Sequence, residues 1–319
     1  MSISIKINMK EPLVSICCIT YNHKNYIRDA IEGFLMQKTT FEIEILIHDD
    51  ASTDGTDEII RDYESKFPEI IKPLYEEENQ WSLGRKGSIV FNIPRARGKY
   101  IALCEGDDYW TDPFKLQKQV DFLERNSNHS MCFHGAKVIS ESNYLNNSIF
   151  SNLQNRDYNS DELLEKWIVP TASVVFRKEL FNKIPQSEKF IYGDIITFLT
   201  MAAYGKVRCI DEAMSVYRRT KKGVVLSENV SPDYYWRFIE HFKEIFQKFP
   251  KVTKTVVDKR IAYQYSGICL YYIRKKQIKN FVSYFRMFFI EYRKVFLKAF
   301  ISGILRSTSY KISQFAKNH

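Results

Sequence analysis

Leu13-Val14-Ser15-Ile16-Cys17-Cys18-Ile19, running into Thr20-Tyr21-Asn22, is the stretch on which the fold turns. An apolar run interrupted by one Ser reads as a strand covered on both faces, the pattern of a parallel sheet. Behind it, Ile27, Ala30, Ile31, Phe34 and Leu35 recur at helical spacing within residues 24–37. Further along, residues 43–47, 70–75 and 100–104 read as strands, and 57–67 and 87–96 as helices. Asp112-Pro113 opens another helix reaching about residue 126, with Pro in its first turn. Strand and helix in alternation predict right-handed βαβ units, hence an α/β, Rossmann-like domain with a mainly parallel central sheet.

In the second half, residues 171–177, 207–210 and 214–219 read as extended, with a helix over 194–204 between the first two. After Pro232 the pattern is helical throughout. We therefore expect a catalytic-type domain over residues 1–229 and a basic helical C-terminal extension over 230–319.

Composition narrows the classes. The chain has 319 residues, 45% of them hydrophobic and 27% charged, enough to bury a sizeable core and unlike a disordered chain. Its net charge of +9 is uneven, with 18 Lys+Arg against 5 Asp+Glu from Val230 onward. That asymmetry points to an anionic partner for the C-terminal part, membrane phospholipid or nucleic acid, or simply to solvated helix faces. Cys17, Cys18, Cys104, Cys132, Cys209 and Cys269 form no CxxC pair or metal-finger spacing, and no secretory signal is read, so a reducing cytosol is the expected setting. No run reaches the roughly 18 apolar residues of a spanning helix.

The chemistry gathers at strand ends, because ligands of such sheets bind beyond the carboxyl ends of the strands. Tyr21-Asn22, Asp49-Asp50 and Asp107-Asp108 all fall there. Glu105-Gly106-Asp107-Asp108 suits a hard cation, Mg²⁺ or Mn²⁺, that also takes phosphate oxygens; as an alternative it is a polar turn capping the next helix. In His48-Asp49-Asp50-Ala51-Ser52-Thr53-Asp54-Gly55-Thr56, a carboxylate can accept a base N–H, while Asp54 or Thr56 caps a helix.

Taken in order, Pro12-Leu-Val-Ser-Ile with Thr20-Tyr21-Asn22, then Asp49-Asp50-Ala-Ser-Thr-Asp-Gly-Thr, then Gly98-Lys-Tyr-Ile-Ala-Leu-Cys-Glu-Gly-Asp107-Asp108-Tyr-Trp, resemble the signatures of family 2 glycosyltransferases with the GT-A fold. The likeness covers about residues 12–220. It implies an inverting, metal-dependent transferase that moves a sugar from a nucleoside-diphosphate donor, UDP-linked in expectation, to an acceptor hydroxyl. Thr20, Tyr21, Asn22 and Asp50 would hold the nucleotide, Tyr21 and Asp50 at the base. Asp107 would contact the ribose or sugar and stand beside Asp108 at a Mn or Mg ion on the diphosphate. Asp194, in Tyr192-Gly193-Asp194-Ile195, would be the base, although the family's usual Glu-Asp is Gly-Asp here.

The resemblance further implies bacterial cell-surface polysaccharide or lipopolysaccharide synthesis and a glycan or lipid-linked saccharide acceptor. It suits a cytoplasmic enzyme, soluble or peripheral at the inner membrane face, with no nucleic acid partner and with room for a homo-oligomer. Related chains often carry a His after the Tyr-Arg of Met214-Ser-Val-Tyr-Arg218. Here Arg219-Thr220-Lys221-Lys222 follows, so Lys221 or Lys222 would supply charge in its place, or the loop is simply basic and solvated. His134 reads as a structural histidine or an acceptor contact, Tyr109 and Trp110 as core or an acceptor platform, and Arg85 and Lys86 as phosphate-facing or helix-starting. A sugar nucleotidyltransferase is the nearest rival, though the Gly-rich basic loop it needs after the first strand is replaced by Thr20-Tyr21-Asn22-His23. A catalytically inactive membrane- or nucleic-acid-binding protein is the third reading. In residues 281–297, aromatic and basic residues interleave, as in a helix that packs on protein or lies in a membrane interface.

Overall fold

The computed structural model describes residues 11–85, 87–140, 148–220, 231–293 and 295. They fall into two compact units. The first takes the described residues up to Asn159, with Trp167–Ile184 and those from Gly193 to Thr220. The second takes Ser160–Lys166, Pro185–Tyr192 and those from Ser231 onward.

In chain order the first unit opens with β1 (Val14–Thr20), α1 (Ile27–Leu35), β2 (Ile43–Asp49), α2 (Thr56–Lys66), β3 (Ile71–Tyr75), the short α3 (Ser88–Phe91), β4 (Tyr100–Glu105), β5 (Tyr109–Trp110) and α4 (Lys115–Arg125). There follow β6 (His129–Ser140), β7 (Ser148–Ile149) and β8 (Asp157–Tyr158). Next, α5 (Ser160–Glu165) belongs to the second unit, while β9 (Val175–Arg177), α6 (Gly193–Tyr204) and β10 (Lys206–Arg219) complete the first. The remaining helices of the second unit are α7 (Pro232–Lys248), α8 (Lys254–Arg274) and α9 (Ile278–Tyr292).

The sheet runs β3-β2-β1-β4-β9-β6-β10-β5, with β7 beside β6 and β8 beside β10. β3, β2, β1 and β4 are mutually parallel, and β6 and β10 are parallel to each other. The expected α/β class with a mainly parallel sheet is therefore observed. β1 is buried because it is central, and its apolar run packs with Ile27, Ala30, Ile31 and Phe34 of α1 in one core. At the opposite end from the site, buried Glu44 accepts the Ser15 hydroxyl at 2.6 Å and both the N–H and Nε–H of Arg97. Gly98 lies so close that a Cβ there would sit 2.6 Å from the Ser15 nitrogen, which explains the glycine before β4.

Three expectations change. Residues 171–177 are not one strand: Thr171–Ser173 is a 3₁₀ turn, and the chain extends only at β9, which runs antiparallel between β4 and β6. Ser173 accounts for the turn, since its hydroxyl and N–H both donate to the Pro170 carbonyl. Residues 207–210 and 214–219 are one strand, β10, whose pairing with β6 shifts register between Ile210 and Ala213. That bulge breaks the alternation that a single strand should show. The helix expected over 87–96 is α3 followed by a separate 3₁₀ turn over Ile93–Arg95, where Pro94 denies the ladder a donor.

Candidate active site

The parallel register brings the ends of β1, β2 and β4 together, pairing Thr20 with Asp49 and Ile19 with Glu105. Backbone bonds then tie the departing loops. The Asp50 N–H donates to the Thr20 carbonyl at 3.0 Å and the Gly106 N–H to the Ile19 carbonyl at 2.9 Å. Asn22 turns back with φ +54° and Ala51 with φ +60°. The Asn22 N–H donates to Ser52 Oγ at 2.9 Å, and Asn22 Oδ1 accepts the Thr53 N–H at 2.8 Å. Asn tolerates the left-handed region; Ala does so at a cost of about 1 kcal/mol, the kind of local strain found at functional loops.

The two carboxylates of the second motif serve different ends. Asp49 accepts the Ser52 hydroxyl at 2.5 Å and shapes its own loop. Asp50 accepts the N–H groups of Gln80 (2.5 Å) and Trp81 (3.1 Å), one on each oxygen. It thereby fixes a loop that the sequence did not connect with it, while keeping one lone pair free per oxygen. Tyr21 and Trp81 are both 45% exposed at this rim.

At the end of β4, Gly106 sits against Thr20 so closely that a Cβ would meet Thr20 Oγ1 at 2.6 Å. The turn it permits presents Asp107 and Asp108. Asp107 Oδ2 lies 3.9 Å from His23 Nε2, and the other ring nitrogen of His23 is 3.2 Å from Thr20 Oγ1. Asp108 is fully buried. Its Oδ1 accepts the Arg218 N–H at 2.8 Å, and its Oδ2 is buried with no hydrogen-bond partner.

Arg218, from β10, holds this turn. One guanidinium nitrogen donates to the Asp107 carbonyl at 2.9 Å, another pairs with Asp29, and the group lies 4.4 Å from the Tyr109 ring centre. In the sequence Arg218 is only the residue before a missing His. Its partners are about 110 and 190 positions away, so no local pattern could reveal it.

Electrostatics make the turn a demanding place for negative charge. Burial, then Asp107 and Glu105, hold the Asp108 carboxyl well above the usual carboxylate range. Burial, then Asp107 and Asp194, push Glu105 up to about 8. Asp194 is thus among the charges that act on Glu105. Asp194 itself is pushed up to about 6 by burial, opposed by the Ile195 N–H (2.8 Å to Oδ1) and by the Thr171 hydroxyl.

A buried carboxylate with one orphaned oxygen, beside the half-buried Glu105 and Asp107, fits a divalent cation. Among the described residues no group of three or more His, Cys, Asp and Glu is placed to hold a metal ion, so the turn offers at most the two carboxylates of Asp107 and Asp108. The donor set thus suits Mg²⁺ or Mn²⁺, which bind through one or two carboxylates and complete their shell with water and phosphate oxygens.

Other candidates are placed elsewhere. Trp110 is fully buried, donates its indole N–H to the Ala172 carbonyl at 2.7 Å and packs edge-on against Phe34, so it is core and no acceptor platform. Beneath it, fully buried Lys115 lies 4.0 Å from the ring centre, is bonded to Gln119, and is pushed down to about 7 by burial. His134 is fully buried with Nδ1 donating to the Gly135 carbonyl and Nε2 without a hydrogen-bond partner, a placement that suits the structural reading over the acceptor contact. Arg85 bonds Gln80 Oε1 at 3.3 Å. Lys86, Lys221 and Lys222 lie outside the described residues.

Residues 15–185 match the model of glycosyl transferase family 2. The chain belongs to that family. As a family 2 glycosyltransferase it is 37% identical over 229 residues to an uncharacterized protein of Mycobacterium tuberculosis, covering 72% of this chain and 65% of that one. The chain thus spans about two thirds of the length of that relative. It is 28% identical to TuaG of Bacillus subtilis, a putative teichuronic acid biosynthesis glycosyltransferase, over 79% of this chain and 98% of TuaG. A solved structure of S. aureus TarS with UDP-GlcNAc superposes with a TM-score of 0.61 at 18% identity, covering 88% of this chain and 80% of that one. That likeness establishes the GT-A-like fold of this family member. The nucleotidyltransferase and inactive-module readings gain no support from any of these matches.

Proposed function

We propose that the chain transfers one sugar from a nucleoside-diphosphate sugar, UDP-linked in the first instance, to an acceptor hydroxyl with inversion at the anomeric carbon. The observation that carries this reading is the buried, unpartnered Oδ2 of Asp108, with Asp107 and Glu105 as its charged neighbours. Asp108, with Asp107, would hold a Mn or Mg ion, which when bound neutralises the donor diphosphate. Thr20, Tyr21, Asn22 and Asp50 would hold the nucleotide, with the exposed Tyr21 ring and the free lone pairs of Asp50 at the base. Asp194 would accept the proton of the acceptor hydroxyl as that oxygen bonds to the anomeric carbon. The bond from that carbon to the diphosphate oxygen breaks, and the nucleoside diphosphate leaves with the electron pair.

The acceptor reading, a glycan or lipid-linked saccharide in cell-surface polysaccharide synthesis, is supported by the roles of relatives. One, WfaP of Escherichia coli, is a UDP-Glc:α-D-GlcNAc-diphosphoundecaprenol β-1,3-glucosyltransferase, 38% identical over 35% of this chain. All six cysteines are free and buried, in keeping with a reducing cytoplasm.

A panel of UDP-, GDP- and dTDP-sugars, with and without Mn²⁺, tests the reading by calorimetry and turnover on the native chain and Asp108→Ala. One donor should bind with metal and be lost in the variant. Negligible binding across the panel to both proteins would sink it. A second expectation concerns Gly106→Ala. The added methyl must displace the turn carrying Asp107 and Asp108, so turnover should fall on the order of 100-fold, as for other misplacements of about 1 Å. Turnover within a factor of two of native would show that the turn tolerates the shift.

A further inference from the structure

Helix α9 carries two apolar faces. On one, Phe288 is fully buried and stacks on Tyr265 of α8 with ring centres 5.9 Å apart, and Tyr284 stacks on Tyr272 at 5.3 Å. The other presents Ile278, Val282 and Ile290, which are 62%, 54% and 63% exposed. Their spacing of four and eight residues keeps them on one side of the helix. Lys279, Arg286 and Met287 line the same groove. A surface helix normally hides its single apolar stripe, so a second one in water marks a face that binds something.

Charge selects the occupant. From Tyr271 onward the sequence holds 11 Lys+Arg and one acid, Glu291. Arg274, Lys275, Lys276, Lys279, Arg286 and Arg293 are all exposed. Two copies of this face in contact would set like charges against each other as the aliphatic groups desolvate them. Residues 294–319 hold five of those 11 bases and no acid, so they add charge of the same sign. An anionic surface complements both features. No helix of the described residues is long and apolar enough to cross a membrane, so lying in the interface is the available mode.

We propose that α9 docks flat on an anionic phospholipid bilayer. Ile278, Val282 and Ile290 enter the acyl boundary while Lys279 and Arg286 meet the headgroup phosphates. The inference goes beyond sugar transfer and does not depend on it.

Flotation of the full chain with phosphatidylcholine vesicles, with and without a third of phosphatidylglycerol, tests the docking. The native chain should float with the anionic vesicles only, and less so at high salt. The pairs Val282→Glu with Ile290→Glu, and Lys279→Glu with Arg286→Glu, replace exposed residues and should keep the native melting curve. Each pair should lower partitioning about tenfold or more. Absence of flotation, equal flotation with neutral vesicles, or flotation unchanged in both pairs would overturn the proposal. So would a native dimer in sedimentation equilibrium that Val282→Glu with Ile290→Glu converts to monomer without altering flotation. Donor turnover measured on the same preparations reports the catalytic reading separately.

Discussion

Asp108→Asn is expected to lower metal-dependent donor turnover by about 10³-fold or more, because it removes the carboxylate whose orphaned Oδ2 is proposed to bind the metal. The amide can still accept the Arg218 N–H, so the turn should keep its shape. What disappears is the anionic ligand, and an N–H₂ group now occupies the place where a cation would be drawn. A readout independent of catalysis is available. Mn²⁺ with UDP should raise the melting temperature of the native chain, since a ligand that binds only the folded state stabilises it, and should leave that of Asp108→Asn unmoved. The pH dependence of the metal-free chain should differ as well. A carboxyl held above its ordinary value keeps a proton that the unfolded chain releases, so native stability falls as pH rises past the unfolded value near about 4. The amide variant lacks that decline. Turnover within about threefold of native, with the thermal shift retained, would remove Asp108 from the metal site.

Asp194→Asn carries the second large effect, a loss of about 10²–10⁴-fold in turnover, the usual range for a positioned general base. The base must be ionised to accept a proton, and burial pushes Asp194 up to about 6. Native kcat/KM should therefore climb about tenfold per pH unit below that value and level off above it, and the residual activity of the variant should lack that limb. The same shift works against stability. Between the unfolded value of about 3.9 and about 6 the folded chain holds the extra proton, so its contribution is complete at low pH and gone above 6. At pH above 6 the native chain keeps a charge in a poor environment that Asn avoids. The variant should then melt higher, by an amount corresponding to about 1–2 kcal/mol once its partial exposure is discounted. An inactive variant of higher melting temperature is the expected pair of results. Full activity with an unchanged pH profile would assign the base elsewhere, with Glu105 the next carboxylate to try.

The fold was legible where burial is uniform. β1, β2 and β4 lie inside the sheet, so each is written as an apolar run, and the helices between them show one buried stripe. Legibility failed where the pattern depends on what lies alongside. The run expected as a strand over 171–177 contains a 3₁₀ turn held by Ser173, and β9 owes its antiparallel position to β4 and β6, far away in the chain. β10 read as two pieces because its bulge interrupts the alternation while its partner β6 runs straight through. Trp110 and His134 were ambiguous for a related reason: an aromatic residue after a strand is written the same way whether it faces a crevice or the core.

The α/β class, the strand ends and the acidic pair Asp107 and Asp108 at one of them could all be read from the chain alone. These rest on short-range facts, namely periodicity within one element and residues adjacent in the chain. Only packing shows that Asp108 is buried with one oxygen unsatisfied, that Asp50 braces the loop at Trp81, and that Arg218 clamps the acidic turn. Desolvation and charge coupling depend on groups brought together across a hundred or more residues, and no single stretch of chain contains them.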